Sequence, residues 1–188
     1  MSPDSFIAAC WIIWLAVWFF AALNAKKTVR HEDALSRLGN TLPILVGAIL
    51  LSAHPAWLGP FQVRLLPNDV TISVAGAVLT FIGLVFAVWA RFHIGRNWSG
   101  VITLKQDHVL IRSGPYALVR HPIYTGLMLG IIGSAVARRD IAAALAVAAV
   151  LYAVLRRMTI EESWMSDSFG RDYADYKART PALIPFLL

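Results

Sequence analysis

Two uninterrupted apolar blocks constrain this chain more than any other feature. "FIAACWIIWLAVWFFAAL" (residues 6–23) and "VTISVAGAVLTFIGLVFAVWA" (residues 70–90) contain no Asp, Glu, Lys or Arg. Each is close to the roughly 20 apolar residues that a helix needs to cross a hydrocarbon core of about 30 Å. Lipid offers the backbone no hydrogen bonds, so a crossing segment must satisfy its own, and a helix does so within one segment. The rest of the chain agrees. Of 188 residues, 58% are hydrophobic and 15% charged, and mean hydropathy is +0.63. The expected fold class is therefore an all-α integral membrane protein.

About five transmembrane helices are expected, over residues 5–24, 41–58, 69–92, 122–137 and 141–157, in one polytopic domain. The first exceeds the apolar length of a signal peptide and has no Lys or Arg before it, so it reads as a retained span. The lone cysteine, Cys10, lies inside it and reads as a small apolar packing residue. The last two spans are separated only by "RRD" (residues 138–140), which makes them a short antiparallel hairpin. Beyond it, "RRMTIEESWMSDSF" continues the fifth helix, Gly170 is a stop, and "RDYADYKA" forms a short further helix. The closing "TPALIPFLL" is expected to pack back onto the bundle or onto the membrane interface.

The net charge of +6 follows topology rather than nucleic-acid binding. With the N-terminus outside, 14 of the 17 Lys and Arg residues fall on the inner side, leaving Arg64, Arg138 and Arg139 outside. The C-terminal helices then face the cytoplasm, in the inner membrane if the cell is bacterial. Arg138 and Arg139 are discordant, as if the hairpin did not cross fully.

Two polar clusters carry the chemistry. In "RHPIYTG", Pro122 suits a first helical position and His121 the cap before it. Unpaired N–H groups just after Pro122 would receive an anionic group. The same residues also suit a plain interfacial anchor of His and Tyr. In "RRMTIEE", Arg157 and Glu161 stand four residues apart at the inner end of the fifth helix. They suit either a solvated helix end or a pocket in which Glu binds hydroxyls or an amine and Arg a carboxylate. The hairpin brings both clusters to one membrane face. Arg120 is open to a headgroup-anchoring role, and Glu162 has no assigned role.

Other chemistries lack their signatures. The chain has no GxGxxG after a strand, no P-loop and no GxSxG. His93, His108 and His121 lack metalloprotease spacing, so no metal is expected. His31 and His54 read as loop or interface residues. The series Gly126, Gly130, Gly133 and Ser134 suits close helix packing, either inside the hairpin, which is favoured, or between two protomers.

The motifs "NWSG", "HVLIRSGPYALVRHPIYTG", the hairpin, "EE" and "FGRDYADYKARTPALIP" resemble the isoprenylcysteine carboxyl methyltransferase family, which is related to the phospholipid N-methyltransferases. The likeness covers about half the chain, residues 91–185, and "GPY" and "NWS" resemble the small prokaryotic-type members. It implies a membrane-embedded methyltransferase using S-adenosyl-L-methionine, with a cofactor-binding half over residues 91–188. Carried over by position, His108, Val109, Leu110, Ile111, Tyr116, His121, Pro122, Ile123, Tyr124 and Glu161 would contact the cofactor. Arg157 would bind the substrate and, with Glu161, form the catalytic pair. The implied substrate is a lipophilic or prenylated molecule entering from the bilayer, with no obligate protein partner. Carboxyl O-methylation of an isoprenylcysteine-like acceptor leads. The alternatives are N-methylation of a phosphatidylethanolamine-type headgroup, an NADPH-dependent sterol-type reductase using Arg91, Arg96 and Arg112, and a non-catalytic membrane subunit.

Overall fold

The computed structural model describes residues 1–23, 28–31, 33–52, 57, 59–95, 98, 103–105 and 110–185. Its elements run α1 (Pro3–Ala22), β1 (Thr28–His31), α2 (Ala34–Ser52), a 3-10 turn (Gly59–Gln62), α3 (Val70–Ile94), β2 (Thr103–Lys105), α4 (Pro115–Leu118), α5 (Pro122–Arg138), α6 (Ile141–Phe169) and α7 (Arg171–Arg179). Among the described residues, α1, α2, α3 and α6 are long and apolar enough to cross a membrane, and α5 is a shorter apolar helix. This is the helical membrane class expected. One addition is a short antiparallel ribbon, in which β1 pairs with β2 and joins the segment after α1 to the segment after α3.

Helix starts follow acidic caps. Asp33 accepts the Ser36 N–H at 2.6 Å, Asp69 that of Thr71 at 2.7 Å, and Asp140 that of Ala143 at 2.8 Å. The first of these moves the second span, expected at 41–58, to Ala34–Ser52. The first turns of α2 carry the polar residues Ser36 and Asn40, and Arg156 of α6 binds both. Its guanidinium donates to the Ser36 carbonyl at 2.9 Å, the Ser36 hydroxyl at 3.0 Å and the Asn40 amide oxygen at 2.6 Å. Gly170, at φ 50°, ends α6 as expected and turns the chain into α7.

The tightest packing joins α3 and α5. A Cβ built on Gly76, Gly83, Gly126 or Gly133 would lie 2.5 Å from a backbone atom of the opposite helix. The small-residue series thus packs α5 against α3 inside one chain, with backbones in direct contact, and not against its hairpin partner α6 as expected. A polar thread crosses this interface. Thr80 Oγ1 of α3 donates to the Gly130 carbonyl of α5 at 3.2 Å and lies 3.3 Å from Ser134 Oγ, which accepts from Trp11 Nε1 of α1 at 3.0 Å. Helix α2 packs on α6, and α1 on α3, leaving α1 and α2 without extensive mutual contact. Ile12, Ile13, Phe19, Phe20, Ile49 and Phe81 face outward. An apolar exterior of this kind needs lipid around it.

The discordant arginines have structural partners. Arg138 donates to the Leu51 carbonyl at 2.6 Å and to Asp140 at 2.8 Å. Arg139 donates to the carbonyls of Pro67 and Asp69 at 3.3 and 3.1 Å. Both satisfy carbonyls at helix ends and turns, a local need that overrides charge bias. Helix α5 has 17 residues and rises about 26 Å, so the hairpin comes close to a full crossing.

Candidate active site

The chain before α5 dictates where the site forms. Gly114, at φ 59°, turns the backbone into α4, and a Cβ there would meet the His93 ring at 2.6 Å. His93 is held in turn by Ser113 Oγ at 2.9 Å. Past α4, Arg120 and His121 lie extended beside the C-terminal segment. Their N–H groups donate to the carbonyls of Pro181 at 2.8 Å and Ala182 at 3.0 Å, and Thr125 Oγ1 donates to that of Leu183 at 2.7 Å. The C-terminal segment therefore straps the start of α5. Pro122 is its fully buried first residue, with His121 as the cap. Thr125 N–H makes the first intrahelical bond, to the His121 carbonyl at 3.0 Å. By helix geometry, the N–H groups of Ile123 and Tyr124 have no acceptor within α5.

Across from this start lies the end of α6. Tyr124 donates to Glu161 Oε1 at 2.5 Å, and His121 Nδ1 faces Glu161 Oε2 at 3.7 Å. The other His121 nitrogen, Nε2, meets Glu162 Oε1 at 3.2 Å. The Arg157 guanidinium carbon sits 5.8 Å from the centre of the Tyr124 ring. The two polar clusters of the sequence are thus one cluster in space.

Glu162 organises its buried side. Arg120 donates to it from Nε at 3.0 Å and from Nη2 at 2.8 Å, and Lys177 Nζ at 2.7 Å. The side chains of Arg120, His121 and Glu162 are only 9%, 10% and 13% exposed. Arg120 also donates to the carbonyls of Lys177 and Thr180. A headgroup-anchoring Arg120 is therefore corrected. It is an inward strut that ties α5, α6 and α7 together. The single-sequence signal for Glu162 was adjacency to Glu161, which does not say which carboxylate turns inward.

The remaining expected contacts divide. Tyr116 is buried, stacks on His93 with ring centres 6.3 Å apart, and its carbonyl accepts the Tyr176 hydroxyl at 2.5 Å. Burial raises the hydroxyl pKa of Tyr116, Tyr173 and Tyr176, the last to about 12, so all three are neutral donors at ordinary pH. Leu110, Ile111 and Ile123 are half-buried. His108 and Val109 lie outside the described residues, as do His54 and Arg96. Arg91 is committed to the carbonyls of Gly95 at 2.8 Å and Ala21 at 2.5 Å and to the Trp98 ring, and Arg112 pairs with Asp172 at 3.5 Å. Both carry partners that a phosphate-binding role would have to displace.

A family model described as phospholipid methyltransferase matches residues 71–172, more than half the chain and the whole of this site except α7 beyond Asp172 and the strap. The chain belongs to the phospholipid methyltransferase family. Among its relatives are protein-S-isoprenylcysteine O-methyltransferase B of Arabidopsis thaliana, 29% identical over 62% of this chain and 60% of that one, and the cobalt-zinc-cadmium resistance protein CzcN of Cupriavidus metallidurans, 33% identical over 84% and 65%. The solved structure of the eukaryotic intramembrane Ras methyltransferase ICMT (isoprenylcysteine carboxyl methyltransferase) superposes with a TM-score of 0.54 at 25% identity, covering 84% of this chain and 55% of that one. The chain thus spans about three fifths of the length of these relatives. Family membership fits the sequence resemblance and the meeting of α5, α6 and α7 at one polar cluster.

Proposed function

We propose that this family member is an S-adenosylmethionine-dependent methyltransferase acting on a lipid-like acceptor, with carboxyl O-methylation of an isoprenylcysteine-like substrate as the leading reaction. The observation that carries this reading is the meeting of the α5 start with Arg157 and Glu161. Its protein-S-isoprenylcysteine O-methyltransferase relatives support it.

The residues present fit the cofactor. Glu161 is 28% exposed, against 13% for Glu162, so it retains a face for a ligand while its neighbour is enclosed. The Ile123 and Tyr124 N–H groups offer donors to a carboxylate at a helix N-terminus. Glu161 would accept from an amine or hydroxyls, and His121, Pro122 and Tyr124 would wall the site, with Leu110, Ile111 and Tyr116 beside them. When bound, S-adenosylmethionine supplies a methyl group activated by its sulfonium.

Arg157 would orient an acceptor carboxylate, for which a guanidinium is the matching fork. A carboxylate is already ionised at neutral pH, so its O-methylation needs no general base. The protein then contributes positioning and exclusion of water. An amine acceptor would have to lose a proton, and Glu161 is the carboxylate placed to take it. The strap, α7 and Lys177 lie at the polar end of the site, which would face the cytoplasm under the expected orientation. A lipid acceptor would enter sideways between helices.

The test is product chemistry. Lipid extracts and an S-prenylated cysteine with a free carboxylate are incubated with the protein and methyl-labelled S-adenosylmethionine, then treated with mild base. Label released as methanol supports an ester. Base-stable label on an amine-headed lipid would replace O-methylation with N-methylation, and no transfer to any lipid would overturn the reading. The name of CzcN raises metals, but among the described residues no three His, Cys, Asp or Glu side chains gather as a ligand set.

A further inference from the structure

The bundle end opposite Glu161 holds a second cavity, of about 870 Å³, in the gap between α1 and α2. Ile7 and Trp11 of α1, Leu51 of α2 and Leu127 and Ile131 of α5 make its walls apolar. Its polar pole is formed by Arg64, Arg138 and Arg139 with Asp4 and Asp140, three guanidiniums against two carboxylates. None of Arg120, His121, Tyr124, Arg157, Glu161 or Glu162 lines it. Along α5, Arg138 stands 14 residues from Tyr124, a rise of about 21 Å, so the charged pole lies far from the α5 start, while the apolar wall runs along α5 as far as Leu127, about one turn from Tyr124.

Two donors at this pole lack a protein acceptor among the described residues. Arg138 is fixed by the Leu51 carbonyl through Nη1 and by Asp140 through Nε, and its side chain is 15% exposed. Its Nη2 is buried and, among the described residues, has no hydrogen-bond partner. Nε of Arg139 is in the same condition. A buried unpaired donor on a charged group is costly, and an anionic acceptor in the cavity would remove that cost. An apolar slot with a fixed cationic fork at its mouth is the form of an amphiphile site.

We propose that this cavity binds an anionic glycerophospholipid, its acyl chains between α1 and α2 and its phosphate against Arg138, Arg64 and Arg139. The excess of one positive charge at the pole selects a headgroup of net charge −1 over a zwitterionic one. By the Lys and Arg distribution this is the outer leaflet. The lipid occupies the gap between α1 and α2 and is not the methyl acceptor.

Lipid retention by the whole protein, measured by native mass spectrometry from detergent, tests this. Dioleoyl phosphatidylglycerol is compared with dioleoyl phosphatidylcholine, which has the same chains. Wild type retains the anionic lipid about tenfold better, as one lost charge-assisted phosphate contact predicts. Arg138→Gln removes that preference, and Arg64→Gln, at an exposed position, reduces it. Ala48→Phe, which fills the slot from α2, lowers retention of both lipids. Equal retention of the two by wild type overturns the proposal, as does full preference surviving in Arg64→Gln or wild-type retention in Ala48→Phe. Should Arg138→Gln not fold, the other two variants decide.

Discussion

Glu162→Gln is the substitution that most sharply separates an organised site from a loose collection of polar side chains. The carboxylate receives two bonds from Arg120, one from His121 and one from Lys177, at 2.7–3.2 Å, with 13% of its side chain exposed. Glutamine keeps the shape, but it removes the charge and turns an N–H₂ toward one of these cations. Removing one partner of a buried ion pair costs about 3–5 kcal/mol. Two corrections lower this. Lys177 is 53% exposed and can return to water, so its share is at most about 1 kcal/mol. The retained amide oxygen still accepts from Arg120. The expected loss is about 2–4 kcal/mol, which for a chain of this size lowers the unfolding midpoint by roughly 5–12 °C. Lys177→Met should shift it by less than about 4 °C. In a double-mutant cycle, Arg120→Met and Glu162→Gln together should cost less than their sum by about 1–3 kcal/mol. Thermal unfolding in one detergent supplies all four values. A Glu162→Gln midpoint within about 2 °C of wild type, or strict additivity with Arg120→Met, would refute the account of Glu162 as the organiser.

Gly126→Ala would put a Cβ 2.5 Å from the Gly83 carbonyl oxygen and 2.6 Å from the Ala87 nitrogen, forcing α3 and α5 apart. Overpacking costs about 1–3 kcal/mol or more and outweighs the roughly 1 kcal/mol gained in helix propensity, so the midpoint falls. At Gly39 the three atoms nearest a new Cβ all belong to the Arg156 guanidinium, the closest at 3.4 Å, an ordinary contact that needs no displacement. Gly39→Ala should therefore leave the midpoint unchanged or raise it, by up to about 1 kcal/mol. Tyr176 is raised from 10.0 to about 12, chiefly by burial. A group raised on folding stabilises fully below its unfolded pKa, and that share is lost as pH climbs from about 10 through about 12. Tyr176→Phe should flatten the fall in unfolding midpoint across that window. Ser134→Ala removes the acceptor of Trp11 Nε1 at 3.0 Å, and an intramembrane bond of this kind averages about 0.6 kcal/mol. A loss above about 2 kcal/mol, measured by the same unfolding assay, would mean that Ser134 does more than complete the polar thread.

Much of the fold was legible because lipid enforces it. The uncharged blocks became α1 and α3, and "RRD" became the hairpin tip. Gly170 ended α6, and His121-Pro122 opened α5. The edge of α2 was not legible because residues 34–40 are too polar for an apolar run, and the partner of Ser36 and Asn40 is Arg156, 116 to 120 positions away. The union of "RHPIY" with "RRMTIEE" followed from the hairpin. Its internal division did not, since Glu161 and Glu162 are identical in type, and only the three-dimensional arrangement turns Glu162 to Arg120 and Glu161 to Tyr124. The second cavity lay beyond reach for a different reason. It is a gap between α1 and α2, and no local pattern encodes a gap.

The central claim is a cofactor site at the α5 start facing Glu161. Titration calorimetry of S-adenosylmethionine into the detergent-solubilised protein, for wild type, His121→Ala and Glu161→Ala, tests it most directly. Binding heat for wild type, with affinity reduced by about tenfold or more in both variants, is the predicted result. No heat for wild type, or both variants binding as tightly as wild type, would contradict it.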